Sequence, residues 1–259
     1  MQPPIFWYTG HLNPTGTLEL PADDPALLYG ATAFTTLRVY HASLDSPQTN
    51  WNGHCHRLQT TLHTFGWQQP DWHRLRQGAE ALIPTWPVLR ITIFPDGREL
   101  IAGRHLPPDL AHRQQSGIRA WLADSPQFYR TLPAHKTGNY LPAWLALQTA
   151  QQRGAREAIL TDASGNWLET STGNLWGWRD GTWWTPPLEA GILPGLMRSQ
   201  LISRLPVRQE PWTPDLVKGF QALAYSNSVV EVIPIHTVDT GTTELTCDPR
   251  HPAFQQLRT

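Results

Sequence analysis

Residues 135 to 198 read HKTGNYLPAWLALQTAQQRGAREAILTDASGNWLETSTGNLWGWRDGTWWTPPLEAGILPGLMR, and the rest of the chain is interpreted from this stretch. Lys136 stands just before an apolar helical pattern. Desolvation there lowers a lysine's pKa toward the neutral, nucleophilic amine, which attacks aldehydes. Glu169 ends the strand-like run Trp167-Leu168-Glu169, where a carboxylate can hold a protonated ring nitrogen by a charge-assisted hydrogen bond. The run from Gly191 to Arg198 reads as a tight loop opening a helix, whose N–H groups and dipole suit a phosphate. An aldehyde, a pyridinium and a phosphate together describe pyridoxal 5′-phosphate.

Working outward, 259 residues give room for two moderate domains, each with its own core. Lys plus Arg number 20 against 21 Asp plus Glu, a formal charge of −1 with no long run of either sign, which argues against a nucleic-acid partner. The start MQPPIFWYTGHL lacks a basic lead and a long apolar core, and no later stretch approaches the roughly 20 apolar residues of a membrane helix. The expectation is a cytoplasmic protein without membrane contact. Cys55 and Cys247 lie far apart with no C-x-x-C spacing, so neither a disulfide framework nor a zinc site is suggested. The 13 Trp and 24 Pro point to no particular chemistry.

Before the quoted stretch, Ile5 to Tyr8 and Ala33 to Tyr40 read as strands. Alternation on the second puts Phe34, Thr36 and Arg38 on one face, a candidate pocket wall, and Thr35, Leu37 and Val39 on the other. His54 to Trp67 has Leu58, Leu62 and Phe65 at helical spacing, with Arg57 near its start. His54, Cys55 and His56 are consecutive and so point in different directions, which argues against a metal site. A helix over Asp71 to Ile83, a strand over Val88 to Phe94 and another after Asp96-Gly97-Arg98 complete a small α/β unit. The polar, proline-bearing run from Leu106 to Gly117 reads as a linker.

Beyond it, Ile118 to Leu122 reads as a strand and Tyr140 to Gln152 as a helix, with Pro142 in its first turn and Gly154 as its cap. Short strands over 158–161, 167–169, 174–178 and 182–185 suggest a mixed or antiparallel barrel-like sheet. Thr213-Pro214-Asp215 is a helix start, and Gln221 to Ile235 a strand and turn with Ser226, Asn227 and Ser228 exposed. The expected fold is therefore α/β (α+β). Residues 1–110 form a small N-terminal α/β domain, and residues 111–259 a larger C-terminal domain with the barrel-like sheet and the lysine.

Lys136-x-x-Asn139, Glu169-x-x-x-x-Asn174-Leu175, Thr185-Pro186-Pro187 and Gly191-Ile192-Leu193-Pro194-Gly195 closely resemble the consecutive motifs of the class IV (fold type IV) aminotransferase family. That family includes branched-chain aminotransferases, D-amino-acid aminotransferases and aminodeoxychorismate lyases, and the resemblance runs from about Phe6 to Ile235. It implies a two-domain fold, a pyridoxal phosphate cofactor, a small-molecule substrate and a homodimer whose partner subunit finishes the site. It also implies that Lys136 binds the cofactor and then moves the substrate proton, with Glu169 on the ring nitrogen. Arg57, from His54-Cys55-His56-Arg57-Leu58, would hold the phosphate with the backbone at Leu196 and Met197 and the hydroxyl of Ser228. Tyr140 lies near the place of a tyrosine that contacts the ring oxygen in some relatives, although their spacing from the lysine is one residue longer.

Three features resemble the lyase members: Phe34-Thr35-Thr36-Leu37-Arg38 where branched-chain enzymes carry Phe-Glu-Gly or Phe-Glu-Thr, Met197 in place of a threonine, and the Ser226-Asn227 turn. Asn139-Tyr140 and Glu231-Val232-Ile233-Pro234 look more like an aminotransferase. The resemblance thus implies a lyase that forms 4-aminobenzoate and pyruvate from 4-amino-4-deoxychorismate, toward folate, with a branched-chain or D-amino-acid aminotransferase as the alternative. Phe34, Arg38 and Asn227 are expected at the substrate, Arg38 on a carboxylate, and Thr36 as a proton-moving group. A non-catalytic relative is disfavoured because Lys136, Glu169 and Arg57 are all retained.

Overall fold

The computed structural model describes residues 5–258, which fall into two compact units. The first runs to Pro107 and takes in His135–Asn139; the second holds Pro108–Ala134 and resumes at Tyr140. The boundary, expected at residue 110, lies at 107, and the lysine segment expected with the C-terminal domain makes its contacts in the first unit.

In the first unit the described residues form β1 (Phe6–Tyr8), β2 (His11–Asn13), α1 (Pro25–Tyr29), β3 (Ala33–Arg38), α2 (Trp51–Phe65), α3 (Trp72–Leu82), β4 (Val88–Ile93) and β5 (Glu99–Arg104). The strands pair antiparallel in the order β2-β1-β5-β4-β3, so β3 is an edge. Alternation selects one face for burial: Ala33, Leu37, Leu89, Ile91 and Ile93 join Leu58 and Leu62 of α2 and Leu75, Ala79 and Leu82 of α3 in one core. Asp71 caps α3 by accepting from the His73 and Arg74 amides at 3.0 Å.

The second unit comprises α4 (Leu110–Ser116), β6 (Ile118–Ala123), α5 (Leu141–Gln152), β7 (Glu157–Thr161), β8 (Trp167–Thr170), β9 (Asn174–Arg179), β10 (Thr182–Thr185), α6 (Leu196–Ile202), β11 (Val207–Gln209), α7 (Pro214–Val217), β12 (Ala222–Asn227), β13 (Glu231–Asp239), β14 (Glu244–Thr246) and α8 (Phe254–Leu257). Strands β9, β12, β13, β6, β7 and β8 pair in sequence, and β8 returns to β9 through the pair Glu169↔Asn174, closing a six-stranded mixed barrel. The barrel-like sheet expected from the sequence is present. Closure removes the sheet edges that would otherwise need covering. Trp176 and Trp183 fill a core with Met197, Leu201 and Phe254, so part of the tryptophan excess is packing volume.

Two local expectations are corrected. The linker over Leu106 to Gly117 contains α4, anchored by buried Leu110, by an Arg113–Asp109 ion pair at 2.8 Å and by Gln114 Nε2 donating to the Val230 carbonyl at 3.0 Å. A seven-residue helix with one buried apolar anchor offers no periodicity to read. Ser226, expected to be exposed, is buried on β12 and accepts the Trp176 indole N–H at 2.8 Å. Its position in a strand paired on both sides decides its burial, and its polarity misleads.

Glu157 opens β7 with 2% of its surface exposed. Its carboxylate accepts from the Ser171 and Thr172 hydroxyls and from the Ala158 amide, so it fixes the turn that joins β8 to β9. Burial dominates over these bonds and pushes its carboxyl up from 4.5 to about 7, while the Arg113 charge opposes the rise. A raised folded-state pKa favours the protonated form, so stability is full below about pH 4.5 and falls as pH rises through 7. Relative to Glu157→Gln, the wild type should lose about 2–3 kcal/mol between pH 5 and pH 8. Urea unfolding at both pH values checks this, and a difference that does not change with pH would refute it.

Candidate active site

Lys136 is fixed by its backbone. The Phe34 amide donates to the Lys136 carbonyl at 2.8 Å, Ala33 pairs with Thr137, and the Gly138 amide donates to the Thr32 carbonyl at 2.7 Å. The segment thus adds a strand-like rung to the edge left by β3, satisfying backbone groups that a sheet edge leaves unpaired. Gly138 is required by contact: a Cβ there would meet Thr32 Oγ1 and sit 2.5 Å from the Gly30 carbonyl oxygen.

The lysine amine lies 4.8 Å from the centre of the Phe34 ring, and the Arg90 guanidinium stacks on the same ring at 3.6 Å. Phe34, Thr36 and Arg38 share the β3 face turned from the α2/α3 core, as the alternation predicts, and register places Arg90 opposite Thr36. Arg38 and Arg104 flank Val88 across the same strands. The sequence reading singled out Arg38 and missed Arg90 and Arg104, whose alignment with it depends on strand register.

On the core side of β3, Thr35 Oγ1 lies 2.6 Å from His54 Nδ1 and in direct contact with Arg57 Nη2. Burial, with the Arg57 and Lys136 charges, holds His54 well below the usual imidazole range, so it is neutral. Among the described residues no group of three or more His, Cys, Asp or Glu could hold a metal, and no helix is long and apolar enough to cross a membrane.

In the second unit Glu169 is buried at the barrel seam. Its Oε1 contacts the Arg130 guanidinium, and its Oε2 accepts from the Leu193 amide at 3.1 Å and from Asn174 Nδ2 at 3.5 Å. Asn174 Nδ2 also donates to the Leu193 carbonyl at 2.9 Å, and a Cβ on Gly195 would collide with Asn174 Oδ1. Gly195 therefore lets the loop close over Asn174 and start α6, whose N-terminus carries no side-chain cap and presents the Leu196 and Met197 amides in its first turn. The Met197 side chain packs into the core. Ser228 lies half-buried in the turn between β12 and β13.

Tyr140, the N-cap residue of α5, donates its hydroxyl to the Ser171 carbonyl at 2.6 Å. Asn227 Oδ1 accepts from the Val229 and Val230 amides at 2.9 and 3.0 Å, holding its own turn. Arg130 was not foreseen, because its pairing with Glu169 spans 39 residues and no short motif announces it.

The family model "Amino-transferase class IV" matches residues 32–238. The chain belongs to the class IV aminotransferase family. That makes it a pyridoxal 5′-phosphate enzyme. The branched-chain-amino-acid aminotransferase of Escherichia coli K12 is 28% identical over 127 residues, a match spanning 47% of this chain and only 41% of that enzyme's length. The aminodeoxychorismate lyase of Vibrio harveyi is 23% identical over 217 residues, covering 78% of this chain and 77% of that one. The branched-chain aminotransferase of Thermoproteus uzoniensis shares the fold with a TM-score of 0.80 at 21% identity, covering 98% of this chain and 91% of that structure.

The donor set of this class IV enzyme fits the cofactor: an amine, a guanidinium, a buried carboxylate and an uncapped helix start are the partners an aldehyde, a phosphate and a ring nitrogen need. Borohydride reduction in the presence of pyridoxal phosphate should label the peptide carrying Lys136. Gly138→Ala, which forces the lysine segment off β3, should slow turnover about a hundredfold while leaving the fold intact. Label on another lysine, or unchanged turnover, would refute the geometry.

Proposed function

We propose that the chain is a 4-amino-4-deoxychorismate lyase, releasing 4-aminobenzoate and pyruvate in a step toward folate. The observation that carries this reading is the β3 face, where Phe34, Thr36 and Arg38 are grouped in the pattern that resembles the lyase members. The Vibrio harveyi lyase, matched over most of both chains, supports it.

In this reading Arg57, the Leu196 and Met197 amides and Ser228 hold the cofactor phosphate, and Glu169 holds its ring nitrogen. Tyr140 stands beside the ring through its place in the motif. When bound, the cofactor supplies an electron sink for the pair released at the aminated carbon. Lys136 Nζ takes the proton from that ring carbon. The neighbouring C–O bond breaks, the enolpyruvyl group leaves, and the ring becomes aromatic. Thr36 Oγ1 hydrogen-bonds the leaving enol oxygen and relays a proton toward it. Arg38 binds one of the two substrate carboxylates, and Phe34 walls the pocket beside Lys136. Asn227 binds the substrate from the turn that its Oδ1 holds. No second keto acid is needed.

Amino-group transfer by a branched-chain or D-amino-acid aminotransferase is the second reading, favoured by Asn139-Tyr140 and by the Escherichia coli relative. An assay for 4-aminobenzoate from aminodeoxychorismate separates the two: amino transfer to 2-oxoglutarate without 4-aminobenzoate selects the aminotransferase.

Arg38→Ala should lower kcat/KM about tenfold to hundredfold, the loss of a charge-assisted bond worth about 1.5–3 kcal/mol, with the cofactor retained. Arg57→Ala should reverse the order, shedding cofactor first. If Arg38→Ala works at the unmodified rate or sheds cofactor like Arg57→Ala, the substrate assignment fails. We propose a cytoplasmic homodimer by analogy with the family. Light scattering should give twice the chain mass, and a fully active monomer would refute it.

A further inference from the structure

We propose that Thr35 and His54 are positioning residues for Arg57, forming a hydroxyl relay that aims its guanidinium at the cofactor phosphate. Thr35 is fully buried on β3 at a position flanked by the core residues Ala33 and Leu37, and His54 is 1% exposed on α2. A hydroxyl and an imidazole in such a core are unfavourable unless they bond to each other or to a third group.

The direction of the chain follows from what each group can donate. A guanidinium has no acceptor, so Arg57 Nη2 donates to Thr35 Oγ1. The single Thr35 proton cannot return to Arg57, and the acceptor 2.6 Å away is His54 Nδ1. In this relay His54 accepts at Nδ1 and carries its proton on Nε2. Burial and the adjacent Arg57 and Lys136 charges favour that neutral form. Arg57 Nη2 also lies 3.4 Å from His54 Nδ1, so the imidazole faces both members of the relay.

A hydroxyl backed by a neutral imidazole fixes the fork. Thr35 is the middle residue of Phe34-Thr35-Thr36, so the outward face of β3 bears the groups assigned to the substrate while its inward face orients the arginine assigned to the cofactor.

The inference rests on the assignment of Arg57 to the phosphate, and the test separates the two. Apo-protein of wild type, Arg57→Ala, Thr35→Val, Thr35→Ser and His54→Leu is titrated with pyridoxal phosphate and with pyridoxal, which lacks the phosphate, following tryptophan fluorescence. Thr35→Val, close in shape to threonine, and His54→Leu should each weaken pyridoxal phosphate binding about tenfold, with pyridoxal binding unchanged and Thr35→Ser near wild type. Arg57→Ala should weaken pyridoxal phosphate binding more than either. Wild-type affinity in Arg57→Ala would overturn the phosphate assignment itself. A weakened Arg57→Ala beside an unaffected Thr35→Val, or equal losses for both ligands in Thr35→Val, would overturn the relay alone.

Discussion

The backbone pairing between residues 136–138 and the edge of β3 is the constraint that places Lys136. A lysine on an unsupported loop would sample many positions. Pairing with β3 gives Lys136 the precision of a strand. It also ties the amine to the residues of that strand, so Phe34, Thr36 and Arg38 keep a defined register to Nζ. Gly138 makes this possible because no larger residue fits against Thr32 and Gly30.

A second constraint acts in the C-terminal unit. The barrel closes through one pair, Glu169↔Asn174, and the three residues before Asn174 form the turn that Glu157 holds from beneath. Closing a barrel fixes strand stagger, so the carboxylate at the seam has little freedom. Arg130, Asn174 and the Leu193 amide then satisfy it in a buried setting where an unpaired charge would be unfavourable. Glu157 lies in the same unit and is held less comfortably, because its hydroxyl partners do not fully offset burial.

The two buried carboxylates and the buried Thr35–His54 pair show one principle used in different ways. Glu169 has a cationic partner, Glu157 has hydroxyls and an amide, and Arg57 donates to a hydroxyl relay. A partner of opposite charge stabilises a charge in place. A neutral partner orients the group through hydrogen bonds alone.

Much of this was legible in the sequence. Alternation along Ala33 to Tyr40 determines which β3 residues face the core, because a strand has a period of two whatever surrounds it. The short strands with turns between them imply the barrel-like sheet, and the motif spacings carry the family. Tertiary structure decided the rest. Which unit holds Lys136 depends on a pairing across about a hundred residues that no local pattern encodes. Arg130, Arg90 and Glu157 enter through ion pairs, strand register and burial, which exist only once distant segments meet. The helix within the supposed linker and the burial of Ser226 have the same origin: local polarity reports what a residue can tolerate, and packing determines where it lies.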